Sequence, residues 1–309
     1  MTRLVVAALI VESLVIGCLL IGVADQVAHT HVERLGGVNI WGYRGPVLHR
    51  KAANEIRVAV VGGDLAFGWG LAASEVLAPS VRELVSNALA DSPLRNRNVT
   101  AVTLGALGLA PSGYAAWIRH FAPLAPDVVC IVVDPSRHRL ARSPFVPART
   151  SALFRQFGYS PILPLVLQEK AAIRGSVVRR AAGDSLAYAD ELFRRRQSAD
   201  PWIDAASYLA DIAAAVREGL RTAAYGVIVV TAPDAPPTSL DRQEVKAMAA
   251  SVFSADPVRV VDLGEDSAMH SSALRLDGFN FSTAGHAAAA RDVAPAVLEL
   301  IRASAGTGR

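Results

Sequence analysis

The stretch Ile56–Gly70 reads IRVAVVGGDLAFGWG and decides the fold. Its first part, Ile56–Gly62, is a short continuous apolar run that ends in glycine, which is typical of a strand buried in a parallel sheet. The stretch that follows, Ser74–Asp91, places apolar residues at helical spacing. The sequence therefore predicts a buried strand that leads through a turn into a helix.

The same alternation of strand and helix continues toward the C-terminus. The sequence predicts strands at Val99–Leu104, Val128–Val133, Val227–Thr231 and Val258–Leu263, and helices at Ser112–Leu124, Trp202–Ala223, Leu240–Phe253 and Thr283–Ala303. Five strands separated by helices predict a three-layer α/β fold, in which helices cover both faces of a parallel sheet. Function in such folds gathers at the carboxyl ends of the strands, so we expect the site in the loops that follow them.

Composition and charge exclude several classes of protein. The chain has 309 residues, of which 52% are hydrophobic and 19% are charged, so it can bury a sizeable core and is not disordered. Its net charge of +3 is too small to argue for a nucleic-acid partner. Two cysteines exclude a disulfide scaffold, and no Cys/His cluster has zinc spacing. We predict no cofactor and no metal.

A long apolar run lies at the N-terminus. Leu4–Val23 is apolar apart from Glu12, Ser13 and three small residues, and the mean hydropathy of the chain, +0.31, is high for a soluble protein. At about 1.5 Å per residue, a helix of this length spans a hydrocarbon core of about 30 Å. We therefore predict a membrane anchor over residues 4–24. Arg3 precedes the run, so the positive-inside rule favours a cytoplasmic N-terminus and an exported remainder.

Two alternatives to an uncut anchor stay open. The first is a cleaved signal peptide, although the run is long for one and no small-x-small site closes it convincingly. The second is a lipoprotein box, because Val15–Cys18 reads VIGC, but Leu19–Ile21 continue the apolar run past the cysteine. Glu12 is costly inside a bilayer unless it is paired. It therefore snorkels, is protonated, or contacts a partner helix.

The stretch Pro135–Asp200 interrupts the alternation. It carries twelve basic and five acidic residues, a net charge of +7, together with many apolar side chains. One interpretation is a helical insertion that packs on the core and leaves its arginines in solvent. The other is a cap over the site, or a surface that rests on anionic lipid headgroups.

Five motifs, in this order, resemble those of the SGNH/GDSL hydrolase family. They are NIWGYRGP at Asn39–Pro46, VAVVGGDLAFGWG at Val58–Gly70, LGALG at Leu104–Gly108, the pair Pro126–Asp127, and a closing run from Asp277 to His286. The resemblance covers about residues 39–302 and looks closest to membrane-anchored or exported bacterial members. It implies the five-stranded, flavodoxin-like parallel sheet of that family.

The resemblance also assigns site positions, and it shows three departures from the catalytic pattern. Ester hydrolysis in this family needs a serine nucleophile, a histidine base, an aspartate that orients it, and oxyanion donors. The serine position falls on Asp64 and the histidine position on Asn280, whereas Asp277 and Gly108 match the family. The asparagine that donates to the oxyanion falls near Ser136. The degenerate site therefore comprises Asp64, Gly108, Ser136, Asp277 and Asn280, and the loss of serine and histidine predicts the loss of catalysis.

Other residues restore this chemistry poorly. Asp64 is a carboxylate and a nucleophile only in principle, Asn280 cannot act as a general base, and we expect His286 to be structural. No serine lies between Gly62 and Gly70, and Ser74 is expected to enter the next helix. Asp64 with Asp277 as a cation site is a minor alternative, and Asp64 as an ordinary loop-capping residue is the simpler interpretation.

These observations lead to one prediction of function and one alternative. We divide the chain into an anchor (1–25), a juxtamembrane segment (26–55) and an SGNH-like α/β domain (56–305) with a basic insertion at about 135–200. The prediction is an inactive binding or scaffolding subunit on the extracytoplasmic, periplasmic face of the cytoplasmic membrane. Its partners are lipid, through residues 4–24, and a protein of a membrane complex. The alternative is an active ester hydrolase or acyltransferase on cell-envelope glycans or lipids.

Overall fold

The apolar strands form one five-stranded parallel sheet. The computed structural model describes residues 2–34, 39, 41–68, 70–106, 109–133, 163, 205–233, 242–276 and 280–306. In chain order, the elements within these ranges are α1 (Thr2–Arg34), β1 (Glu55–Gly62), α2 (Asp64–Phe67), α3 (Leu77–Ala90), β2 (Asn98–Thr103), α4 (Pro111–His120), a 3₁₀ turn (Ala122–Leu124), β3 (Val128–Val133), α5 (Ala205–Thr222), β4 (Gly226–Thr231), α6 (Arg242–Val252), β5 (Val258–Asp262), 3₁₀ turns (Ser267–His270 and Ser272–Leu274) and α7 (Thr283–Gly306).

The strand order of the sheet is β2-β1-β3-β4-β5, and every neighbouring pair is parallel. This is the flavodoxin-like order, and it confirms the predicted fold class. The order reverses between β1 and β3, where Val60 lies opposite Cys130. Ligands of open α/β sheets bind at the carboxyl ends of the strands beside such a reversal. The topology therefore points to the loop after β1.

Two apolar layers cover the sheet because side chains of a strand alternate between its faces. In β1, Val58 and Val60 pack with α3 and α7, whereas Ala59 and Val61 pack with α4, α5 and α6. All four side chains are buried, as the continuous apolar run predicts for a strand covered on both sides. The sheet thus forms a rigid platform for the loops at its carboxyl edge.

The opposite, amino edge of the sheet is held by Asp127, from the predicted Pro-Asp motif. One carboxylate oxygen accepts the backbone N–H of Arg57 at 2.8 Å, and the other accepts Lys51 Nζ at 2.6 Å. Arg57 Nε in turn donates to the carboxylate of Glu55 at 2.7 Å. These bonds tie the starts of β1 and β3 together. The motif therefore has a structural role, far from the carboxyl edge.

The helices differ from the sequence prediction at both ends: α4 ends at His120 instead of Leu124, and α7 extends to Gly306 instead of Ala303. The third helix begins at Leu77, because the carboxylate of Glu75 accepts the N–H of Ala72 at 2.9 Å and closes a separate turn first. Ser74 therefore precedes the helix, which corrects the expectation that it enters it. The short helix α2 was not predicted, since four residues give too short a pattern for a helical period. The insertion predicted at 135–200 lies outside the described residues, except for Leu163.

The N-terminal helix α1 contains the predicted anchor. Its segment Leu4–Ala28 has a mean hydropathy of 2.8, and none of its most apolar window is buried against the rest of the protein. The helix is therefore long and apolar enough to cross a membrane. An N-terminal signal sequence meets the same criteria. The helix continues past residue 25, the end of the predicted anchor, to Arg34.

Candidate functional site

The candidate site begins in the tight turn between β1 and α2, where Asp64 is the first helical residue. Gly63 is the N-cap, and the N–H of Phe67 donates to its carbonyl at 2.9 Å. A Cβ on Gly62 would lie 2.7 Å from the Cβ of Ala66 and 2.8 Å from the carbonyl oxygen of Val132, so only glycine fits there. The turn places the half-buried Asp64 at the carboxyl end of β1. Gly63, not Asp64, caps the helix.

The loop after β2 packs directly on this turn. A Cβ on Gly105 would lie 2.6 Å from the backbone nitrogen of Phe67 and 2.9 Å from the carbonyl carbon of Ala66. The N–H of Ala106 donates to the carbonyl of Gly62 at 3.1 Å. The second and third of the five sequence motifs therefore meet at one edge of the sheet, as the resemblance implies.

The segment Asn39–Pro46 forms a compact turn held by its own first residue. The side-chain oxygen of Asn39 accepts the N–H of Trp41 at 2.9 Å, and its side-chain nitrogen donates to the carbonyl of Gly45 at 3.0 Å. The backbone N–H of Asn39 also donates to the carbonyl of Tyr43 at 2.8 Å. These bonds fix the direction of the backbone at Arg44, the residue that follows Tyr43.

Arg44 clamps the site loop to the preceding segment. Its backbone N–H donates to the carbonyl of Thr103, at the carboxyl end of β2, at 2.9 Å. Its guanidinium, 2% exposed as a residue, donates to the carbonyls of Gly68 (2.9 Å), Phe67 and Leu71. Burial lowers the pKa of Arg44 to about 10, with a smaller opposing effect from Glu75, so the group stays charged at neutral pH. The motif Asn39–Pro46 was recognised in the sequence, but it did not predict the hydrogen bonds that Arg44 makes. A lone arginine beside two glycines just before the first strand is the available signal.

His286 lies one turn into α7, against the same loop. It is 1% exposed, and neither ring nitrogen has a hydrogen-bond partner among the described residues. Burial, followed by the charge of Arg44, lowers its pKa to about 4, so the ring is neutral at pH 7. The ring meets Phe281 edge-on with centroids 5.7 Å apart, and its Nε2 would lie 3.2 Å from a Cβ on Gly68. The geometry supports the structural role expected for this histidine.

Asn280 lies in the loop that precedes α7 and is buried. Its carbonyl accepts the N–H of Leu276 at 2.8 Å, and the next residue, Phe281, pairs with Arg275 in an antiparallel bridge. Because Phe281 contacts His286, and His286 lies beside Gly68, the loops that carry Asn280 and Asp64 adjoin at the carboxyl edge. The other three predicted site residues, Gly108, Ser136 and Asp277, lie outside the described residues.

At the two described site positions, Asp64 and Asn280, the side chains are not the serine and histidine that serine-ester chemistry uses. Asp64 offers a carboxylate at the position where the sequence resemblance implies a serine hydroxyl, and the amide of Asn280 does not accept a proton at neutral pH. His286 is enclosed and neutral, which removes it from contact with a substrate. Within the described ranges no three His, Cys, Asp or Glu side chains converge as a metal site. The predicted pairing of Asp64 with Asp277 involves a residue outside those ranges.

Comparison with known proteins finds structural likeness without sequence likeness. No family model matches the chain, and no curated protein matches it. A solved lipolytic protein of the G-D-S-L family from Desulfitobacterium hafniense DCB-2 is similar, with 11% identity and a TM-score of 0.45, over 78% of this chain and 98% of that one. TesA is similar at 14% identity and a TM-score of 0.45, over 79% and 99% of the two chains.

A catalytic mutant of Axe2, an acetylxylan esterase from Geobacillus stearothermophilus, is similar at 15% identity and a TM-score of 0.44, over 78% and 94% of the two chains. The protein thus resembles GDSL/SGNH family esterases in its structure as well as in its motifs, at low identity. Its fold class is established by its own strand order.

Proposed function

We propose that the protein is a membrane-anchored, SGNH-like binding or scaffolding subunit that does not hydrolyse esters. The observation that carries this proposal is the position of Asp64. It occupies the tight turn after β1, where the family places its serine, while Asn280 occupies the loop before α7. The fold around this turn is intact, so the carboxylate is presented on a framework suited to binding.

The location follows from α1 and from the charge that precedes its apolar run. The exposed apolar side chains of α1 support an anchor in the cytoplasmic membrane. Arg3 at the start of the run favours a cytoplasmic N-terminus. The α/β domain is then extracytoplasmic, where it meets a protein of the same membrane complex.

A fluorophosphonate probe, which reacts with activated serines, tests the loss of catalysis. We expect no labelling of the full chain in detergent and no turnover of p-nitrophenyl acetate, because no serine stands at position 64. The variant D64S/N280H places a serine and a histidine at these two positions of the same fold and serves as the comparison for the native chain. Labelling of the native chain, or turnover that D64N abolishes, would overturn the proposal.

Capture of partners from detergent-solubilised membranes tests the binding role. D64N changes the charge in the site, whereas D91N makes the same change on an exposed residue at the end of α3. We expect D64N to lower the yield of a co-purifying protein several-fold and D91N to leave it unchanged. Equal yields of the co-purifying protein from D64N and D91N would show that Asp64 does not contribute to binding.

A further inference from the structure

We infer that the carboxyl edge of the sheet, which carries Asp64, faces the lipid bilayer that holds α1. The candidate site is thereby presented to molecules held at that membrane surface. This inference deepens the proposed function and rests on it in one respect, that α1 stays attached. The occupant of the facing surface is the lipid headgroup layer itself.

The path of the chain supports this orientation. The apolar span of α1 ends at Ala28, and the helix continues to Arg34, a rise of about 9 Å. From Arg34 the chain reaches Asn39 within at most about 18 Å. The turn that starts at Asn39 is bonded through Arg44 to Thr103, the last residue of β2. The carboxyl edge is therefore the first part of the sheet that the chain meets after the membrane.

A direct hydrogen bond joins α1 to the connection between β3 and α5. The carboxylate of Asp25, the last residue of the predicted anchor, is buried and accepts the backbone N–H of Leu163 at 2.6 Å. Leu163 belongs to the connection that leaves β3 at its carboxyl end, after Val133. The membrane-proximal end of α1 thus bonds to this connection.

The exposed apolar side chains of the domain agree with this contact. Outside α1, the described residues with large exposed apolar side chains are Trp41 (38%), Val252 (46%) and Leu276 (50%). Trp41 lies in the Asn39 turn, and a Cδ of Leu276 would lie 3.5 Å from a Cβ on Gly70, in the loop after α2. Both therefore belong to the carboxyl edge, and tryptophan is enriched at membrane interfaces. Val252 ends α6, near the start of β5 at the amino edge.

Single labelled cysteines measure which edge lies at the membrane. All variants carry C18S, which leaves Cys130 as the one native cysteine. Cys130 is buried, and burial raises the pKa of its thiol to about 12, so we expect it to stay unlabelled. The full-length chain carries W41C, L276C or, as the matched control, V252C, each with the same fluorophore. The proteins are placed in lipid nanodiscs with or without nitroxide-labelled headgroups. All three positions are exposed, so the substitutions leave the core intact.

We expect headgroup nitroxides to quench fluorophores at positions 41 and 276 at least threefold more than at position 252. Equal quenching at the three positions, or stronger quenching at 252, would overturn the inference. Intact mass of the same samples shows that α1 is present. Fluorophosphonate labelling reports independently on the proposed loss of catalysis, so failure of one proposal is not mistaken for failure of the other.

Discussion

Arg44 connects the segment that follows the apolar helix α1 to the loop that carries Asp64. Its guanidinium serves three backbone carbonyls, those of Phe67, Gly68 and Leu71, in a water-poor interior. It also lies over the ring of Phe67, 4.4 Å from the centroid. A planar fork with several donors suits this task, which a lysine cannot fulfil.

Replacing Arg44 by methionine should destabilise the fold. Buried carbonyls that lose their donors cost about 1–3 kcal/mol each, so we expect the free energy of unfolding to fall by about 3 kcal/mol. The free energy of unfolding of R44K should lie between those of the native chain and R44M, because lysine keeps the positive charge but lacks the several donors of the guanidinium. Urea denaturation of the full chain in detergent measures both, with R50M on the exposed Arg50 as control. Equal midpoints for R44M and R50M would contradict the clamp.

His286 should make the protein less stable in acid. Its folded-state pKa is about 4, below the ordinary value of 6.5, so the unfolded chain binds the proton more tightly. The contribution of His286 to stability is therefore present above pH 6.5 and is lost as the pH falls toward 4, a change of about 3 kcal/mol. Unfolding midpoints between pH 7 and 4 test this. H286N should flatten that dependence, and H49Q, on an exposed histidine, should not.

For single residues, the sequence predicted which part of the fold a residue occupies more easily than which side chains and backbone groups surround it. Asp64 and Asn280 were identified from the order of the motifs along the chain. Both lie at the carboxyl edge of the sheet, because the order of strands and loops along the chain already predicts that edge. The clamp by Arg44 and the low pKa of His286 depend on contacts between residues far apart in the chain. No local pattern encodes such contacts, so the sequence alone could not give them.

At the level of elements, close backbone approach defines the site turn. Gly105 leaves no room for a side chain against the backbone of Phe67 and Ala66. We expect G105A to lower the free energy of unfolding by about 1–3 kcal/mol, since overpacking forces the backbone to move. G306A, at an open position in the last turn of α7, makes the same chemical change without a contact. If both variants unfold at the same denaturant concentration, the turn tolerates a side chain and the packing argument fails.

The strands were the most predictable elements. All five lie within one residue of their predicted bounds, because continuous apolar runs flanked by turns mark buried parallel strands. Helix starts were less predictable, as α3 shows, because a loop side chain such as Glu75 decides where the helical bonds begin. The short α2 exists because the glycine turn and Arg44 hold it, and neither effect leaves a helical period.

At the level of the whole molecule, the proposed location of the domain depends on the apolar helix α1. We expect residues 4–24 to remain in the mature protein, because no cleavage site closes the apolar run convincingly. Intact mass of the purified protein measures this directly. A mature start near residue 25, or a lipid on Cys18, would replace the anchor with a processed signal.

The side of the membrane is a separate prediction. A reporter enzyme that is active only outside the cytoplasm, fused after residue 306, should be active. The same reporter fused before Thr2 should be inactive, since Arg3 holds the N-terminus inside. The opposite pattern would place the α/β domain in the cytoplasm and overturn the proposed location.

The clamp of Arg44 also has a mechanical consequence. Force on α1 that is transmitted along the backbone enters the described part of the α/β domain at the Asn39–Pro46 turn, separately from the bond between Asp25 and Leu163. The bonds of Arg44 to Thr103 and to the carbonyls of the Asp64 loop carry that load before the sheet does. Tension along the backbone that follows α1 therefore acts directly on the loop that holds Asp64, so movement of α1 and the shape of this site are physically linked.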